Sequence, residues 1–235
     1  MFDGKMKAVT LSFDDGVTQD KRLIEIFDSY GLKCTFNLNS ELLGKEGELV
    51  RESQRVTHNK VNPEEVCEVY RGHEVAVHTL THPNLTQIAD DDEVIRQVEC
   101  DRRRLSELVG YNVVGMAYPC GGVNNDDRVA RLIAENTGVK YSRTVTSNYS
   151  FEPQENLYRF NPTVYLHGDG FERATELAKS FLSEDAETPK IFYIWSHAYE
   201  FDIHDTWDEV EKFCRLISGH DDVFYGTNTE VLLAR

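Results

Sequence analysis

Short runs of β-branched and aromatic residues alternate with helical patterns along almost the whole chain, and this alternation constrains the fold more than any other feature. Lys7 to Phe13 reads as a strand. Lys21 to Tyr30 follows with Leu23, Ile26, Phe27 and Tyr30 at helical spacing, stopped by Gly31. Cys34 to Leu38 is a second strand. A polar excursion, Asn39 to Asn62, leads to Asn62-Pro63-Glu64-Glu65, where an N-cap, a proline at N1 and a glutamate at N3 predict a helix start. Glu74 to His78 alternates as a third strand. Asp91 to Val109 is a long helix with Val94, Ile95, Val98, Leu105 and Leu108 facing inward, ending at Gly110. Val113 to Tyr118, Lys140 to Val145, Leu157 to Leu166, Ile191 to Ser196 and Val223 to Tyr225 are further predicted strands. Helices over about Asp126 to Asn136, Phe171 to Ser183 and Thr206 to Ser218 separate most of them. Strand and helix in alternation mean a parallel α/β sheet. Seven or eight such units point to a closed or nearly closed β/α barrel, whose chemistry sits at the C-terminal strand ends. No repeat or linker divides the 235 residues, which suit one domain over residues 1–235.

Composition narrows the function classes. With 41 acidic against 25 basic side chains the formal charge is −16, and no basic field exists for nucleic acid. The longest apolar runs, such as Ile191 to Trp195, are too short to span a bilayer, so no membrane association is expected. Five scattered cysteines without a C-x-x-C pair make neither a disulfide scaffold nor a zinc ribbon. Met1 is followed by Phe2-Asp3-Gly4-Lys5 rather than an apolar leader, and the expected location is the reducing cytoplasm.

The predicted strand ends carry the polar residues. The first ends Leu11-Ser12-Phe13-Asp14-Asp15-Gly16. Two adjacent carboxylates repel, and they share a strand end most readily when a cation lies between them; Asp before Gly is also an ordinary solvated turn. The third ends His78-Thr79-Leu80-Thr81-His82-Pro83, two histidines four apart that are within reach of one metal or simply of a polar loop. Pro83 disfavours a helix at His82, so the spacing must be met by a strand running into a turn. Together with the aspartates, two imidazoles and one carboxylate form a metal face with open positions. The fourth ends Tyr118-Pro119-Cys120-Gly121-Gly122, where a backbone N–H could face an oxyanion and the Cys120 thiol reads as a half-buried spectator. Trp195-Ser196-His197-Ala198-Tyr199 ends a later strand, with His197 placed as a general acid. His58, His73, His167, His204 and His220 have no such constellation and read as structural, with His167-Gly168-Asp169 the stretch nearest to an exception.

These motifs resemble the NodB-type polysaccharide deacetylases, carbohydrate esterase family 4, over roughly Lys7 to Tyr225. Ser12-Phe13-Asp14-Asp15-Gly16 is similar to that family's first motif and His78-Thr79-Leu80-Thr81-His82-Pro83 to its second. The resemblance implies a distorted (β/α)7-8 barrel and one divalent metal held by Asp15, His78 and His82. It also implies Asp14 as catalytic base, the Cys120 N–H as oxyanion donor and His197 as acid. The donor set suits zinc first, and also cobalt, manganese, nickel or iron. Two departures stand out. Ala117 occupies the position of the arginine that orients the base, and Arg143 is the expected replacement. Trp195 stands where a leucine lines the acyl pocket, and no aspartate that would orient His197 is evident.

The expected substrate is an N-acetylated amino sugar or oligosaccharide. Competing expectations are an O-acetyl esterase on xylan-like sugars, a hydrolase of small cyclic amides, a sugar-binding pseudoenzyme with Tyr118, Trp195, Tyr199 and Phe201 as stacking faces, and a non-haem iron oxygenase. The 39–62 excursion is expected to wall one side of the cleft, so that shortening it alters substrate preference more than metal affinity.

Overall fold

In the computed structural model, which describes residues 2–51, 53–168 and 170–233, the chain begins with a fully buried strand, β1, Lys7–Asp14. A strand buried at every position must be covered on both faces, as in parallel α/β sheets. Helix α1, Asp20–Ser29, provides one cover with Leu23, Ile24 and Phe27. It returns the chain to β2, Cys34–Leu38, parallel to β1. The remaining sheet strands are β5 (Glu74–Val77), β6 (Gly115–Ala117), β7 (Tyr141–Arg143), β8 (Val164–Tyr165), β9 (Lys190–Ser196) and β10 (Val223–Tyr225). They run in the order β7-β6-β5-β2-β1-β9-β8, every pairing parallel. β9 follows β1 from Lys7 to Phe13. On the other edge, β10 takes Lys7 to Val9 and β2 takes Leu11 to Asp14. The sheet thus curls around its central strand into the distorted β/α barrel expected of the pattern.

Helices α3 (Asp91–Val109), α4 (Asp127–Asn136), α5 (Gly170–Ser183) and α7 (Trp207–Ile217) lie where the apolar spacing put them. α3 buries Val94, Val98 and Leu105, packs Ile95 and Leu108 partly, and ends at Gly110 in the left-handed conformation. Asp126 caps α4 by accepting the Val129 N–H at 2.7 Å.

Three predicted elements differ. The Leu157–Leu166 strand is broken: a 3-10 turn spans Leu157–Arg159, Phe160 bridges to Arg143, and only Val164–Tyr165 pairs with β9. Pro162 lacks the N–H that an unbroken ladder requires. The Asn62 start yields a 3-10 turn, Pro63–Glu65, and a four-residue helix, α2, Val66–Val69. Asn62 does not cap it; its amide donates instead to the Glu65 carboxylate at 2.8 Å. The 39–62 excursion contains an antiparallel hairpin, β3 (Glu48–Arg51) with β4 (Gln54–Thr57), whose strands are too short and exposed to show an alternating pattern. Two short helices, α6 (Tyr199–Ile203) and α8 (Asn228–Leu232), complete the chain.

Candidate active site

The C-terminal ends of the central strands open into a cavity of about 570 Å³ lined by Asp14, Asp15, His78, His82, Cys120 and His197, among others. Several of these residues sit on strained backbone. Asp15, Thr79, His82 and Cys120 have φ of 83°, 68°, 62° and 68°, a region that non-glycine residues rarely enter and that β-branched Thr79 resists most. Strain gathered at one cavity is a mark of a working site. Gly16 carries the chain out of it at φ 62°, and a Cβ there would come within 2.7 Å of Leu38.

Asp14 is buried with Arg143, whose Nη2 lies 2.5 Å from each carboxylate oxygen. Asn37 donates to Asp14 Oδ1 at 2.8 Å. Burial pushes the Asp14 carboxyl up, but the Arg143 charge, then His78 and His197, outweigh it and hold it below its ordinary value. The guanidinium reaches from β7 to β1, so Arg143 stands beside Asp14 although Ala117 does not. Arg143 also lies over the Trp195 ring, 4.5 Å from guanidinium carbon to ring centre.

Asp15, His78 and His82 bring three donor atoms within 4.8 Å of one another. His78 Nδ1 faces the Ala117 carbonyl at 2.9 Å and must carry the proton there, leaving the Nε2 lone pair towards Asp15 Oδ1 at 4.0 Å. His82 Nε2 lies 3.6 Å from the same oxygen. Burial lowers both histidines, His78 to about 4, so both imidazoles are neutral at pH 7. Asp15 is ionised: burial raises it, but the His58 hydrogen bond and the Lys60 charge hold it well below its usual range. Two neutral imidazoles and a carboxylate fit one divalent cation with positions left open.

His58, set aside from sequence as structural, is corrected here: its Nε2 lies 3.2 Å from Asp15 Oδ2 and its ring packs edge-on against Tyr199. Lys60 donates to the Asp15 carbonyl at 2.7 Å and lies 3.6 Å from Oδ1. Neither carried a sequence signal beyond membership of a polar excursion.

Across the cavity His197 meets the partner that its sequence context left unknown. Glu200, one turn on and 2% exposed, places Oε1 3.5 Å from His197 Nδ1. The Tyr165 hydroxyl donates to the same oxygen and lies 3.4 Å from Nδ1. Burial lowers the imidazole, but the Glu200 hydrogen bond and charge, with Asp15 and Asp14, raise it above its ordinary value overall.

The aromatic readings divide. Trp195 and Tyr199 line the cavity, Trp195 stacking on Tyr165 with ring centres 4.1 Å apart. Tyr118 borders it but is fully buried, its hydroxyl donating to the Tyr158 carbonyl at 2.9 Å, so it forms floor rather than a stacking face. Phe201 is corrected to the core, packed on Phe13 and Trp207. Cys120 Sγ rests 3.8 Å from His82 Nδ1, and burial, then the Asp15 charge, raises the thiol. Asn124 pins the Cys120 turn by donating to the carbonyls of residues 118, 119 and 120. The His167 ring packs at a tilt against Tyr165, ring centres 4.2 Å apart, while Asp169 of the same stretch lies outside the described residues.

The sequence profile of the polysaccharide deacetylases matches residues 3–142, more than half of the chain. No curated protein sequence matches. Among solved structures the chain is similar to a Mycobacterium smegmatis protein ascribed to the polysaccharide deacetylases, at 17% identity over 98% of this chain and 90% of that one, with a TM-score of 0.67. It is similar to a family 4 acetyl xylan esterase from Clostridium thermocellum in complex with a cobalt ion, at 15% identity over 97% and 91%, TM-score 0.58. It is also similar to a family 4 pseudoenzyme from Bacillus anthracis, at 18% identity over 97% and 66%, TM-score 0.55. At these identities the likeness is one of fold, and one fold carries both esterase and pseudoenzyme.

Proposed function

The chain belongs to the polysaccharide deacetylase family, and on that premise we propose that it is a divalent-metal-dependent hydrolase removing the N-acetyl group from an amino sugar or short oligosaccharide. The observation that carries the reading is the convergence of Asp15, His78 and His82 beside the buried Asp14–Arg143 pair. Those three residues would hold the ion, zinc first. A divalent cation there supplies Lewis acidity towards water and the acyl oxygen. Asp14, kept ionised and fixed by Arg143 and Asn37, takes a proton from the attacking water. The Cys120 N–H, turned by its left-handed φ and pinned by Asn124, donates to the developing oxyanion, a contribution of about 3 kcal/mol when well aligned. His197, its Nδ1 occupied by Glu200 and Tyr165, offers Nε2–H to the departing amine. Acetate and a free amine leave.

The proton on His197 favours an amide over an ester as the substrate bond, because an amine expelled without a proton is a very poor leaving group. Trp195, held between the neighbouring Tyr165 and Arg143 side chains, reshapes the cavity wall where the resemblance places a leucine, and hydrolysis of small cyclic amides is the second reading. A binding-only role has no need of a buried base, its arginine and a buried acid together. We further read residues 1–235 as one domain and the five free cysteines as fitting a reducing compartment. Among the described residues no helix is long and apolar enough to cross a membrane.

The test is acetate release from N-acetylated chito-oligosaccharides and O-acetylated xylo-oligosaccharides by the metal-loaded protein, its Asp14→Asn and its His197→Ala variants. Both variants should lose about 10²–10⁴-fold on the amide. Equal rates for variants and parent would remove both residues from the chemistry.

A further inference from the structure

Glu200 is held in an uneven way. Its Oε1 gathers the Tyr165 hydroxyl, Arg51 Nη1 and His197 Nδ1, while its Oε2 is buried with no hydrogen-bond partner. A carboxylate gripped through one oxygen is oriented by its strongest donors, and a charged donor outranks a neutral hydroxyl. Apart from His197 itself, the charged one is Arg51. Its side chain is 45% exposed whereas that of Glu200 is 2% exposed, so the guanidinium reaches down from the surface onto a buried acid. Arg51 is the last residue of β3, in the hairpin of the 39–62 excursion, and also lies 3.3 Å from the Tyr199 hydroxyl.

The hairpin buries few of its own side chains. Along β3 and β4 only Val56 is fully buried. Its base is tied to the loop that follows the two aspartates: Thr18 N–H donates to Asn59 O at 2.8 Å, Val61 N–H to Gly16 O at 2.9 Å, and Gln19 Nε2 to Thr57 O at 2.9 Å. The same Gln19 amide donates to Asp202 Oδ2 on α6, at 3.0 Å, linking hairpin and acid-bearing helix.

We propose that Arg51 is a positioning residue for the proton donor: seated on the hairpin, it fixes Glu200, and Glu200 fixes His197, so cleavage of bonds that need a protonated leaving group depends on the hairpin being docked. The inference rests on the reading of His197 as the acid. Arg51 touches none of the three candidate metal ligands, and its hydrogen bonds go to Glu200 and Tyr199, so its effect is expected first on the donor side of the cavity.

The experiment compares two substrates sharing the acetyl group, an N-acetyl amino sugar and a nitrophenyl acetate whose phenolate leaves without a proton. Metal-loaded parent, Arg51→Ala, Arg51→Lys, Glu200→Gln and His197→Ala proteins are assayed, with metal content and melting temperature checked for each. Arg51→Ala should cut amide kcat about tenfold more than ester kcat, on the scale of a modest misplacement of a catalytic group. Glu200→Gln should follow the same split, and added guanidinium ion should restore part of the amide rate of Arg51→Ala. Arg51→Lys should fall between parent and alanine variant. The inference is overturned if His197→Ala is amide-selective while Arg51→Ala slows both substrates equally, slows neither, or is not rescued. If His197→Ala itself shows no amide selectivity, the acid assignment fails, and the Arg51 inference with it.

Discussion

Arg143 is the residue on which Asp14, the proposed base, depends. It is completely buried against an equally buried Asp14, and removing one partner of such a pair leaves an uncompensated charge costing about 3–5 kcal/mol. Because the Arg143 charge opposes the upward push of burial on Asp14, its loss must raise the Asp14 pKa. A base works only when ionised, so on the proposed role of Asp14 the Arg143→Ala variant should move the acidic limb of the kcat/KM–pH profile to higher pH and cut turnover about 100-fold at neutral pH. Metal content, measured by mass spectrometry, should stay near that of the parent; an unmoved acidic limb would contradict the pairing. Asp14, Asp15, His78, His82 and His197 were legible because each belongs to a contiguous stretch at a strand end. Arg143 was legible only as a cation on a neighbouring strand end once position 117 was seen to be alanine. Glu200 stands three residues from His197, yet only the onset of α6 turns it back towards the imidazole. His58, Lys60 and Arg51 owe their roles to tertiary docking, which no local spacing encodes.

At the scale of elements, the turn from Val77 to Pro83 is the most demanding piece. Asn39 Nδ2 donates to the carbonyls of His78 and Thr79, and the Thr79 hydroxyl accepts the His82 N–H at 3.1 Å. That lattice holds Thr79 and His82 in the left-handed region so that both histidines reach one point. Thr79→Gly relaxes the strain but removes the hydroxyl, so it should weaken metal affinity about 10–100-fold while leaving the melting temperature of the metal-free protein unchanged or higher. A competition titration giving the parental affinity would show that the hydroxyl plays no part. Strands and long helices followed from apolar period because burial imposes it. The hairpin did not, since its side chains are largely exposed and carry no period. The contacts of His58 and Lys60 with Asp15 also mean that the excursion reaches the candidate metal face itself, beyond walling the cleft as its sequence suggested.

For the whole molecule, the curled sheet places Asp14, the proposed base, on β1, the two histidines after β5, the Cys120 turn after β6, Arg143 on β7 and His197, the proposed acid, after β9. One fold thus brings five strand ends onto one cavity, and a cation held by Asp15, His78 and His82 would tie the end of β1 to the turn after β5. Binding to the folded state alone should stabilise it by about 2.7 kcal/mol at a hundredfold excess over Kd, or roughly 5–10 °C in melting temperature. Chelation should lower the melting temperature by that amount, and zinc or cobalt should restore it; a melt indifferent to chelator and metal would speak against a structural link.

The central claim is that this cavity splits an acetyl–nitrogen bond using a bound divalent ion. It is tested most directly by measuring free amine and acetate together from an N-acetyl chito-oligosaccharide, with protein stripped by chelator and then reloaded with zinc or cobalt. The account predicts equal amounts of both products from the reloaded protein and neither from the stripped one. Folded, metal-loaded protein that releases no acetate, or that releases it equally well after stripping, would contradict it.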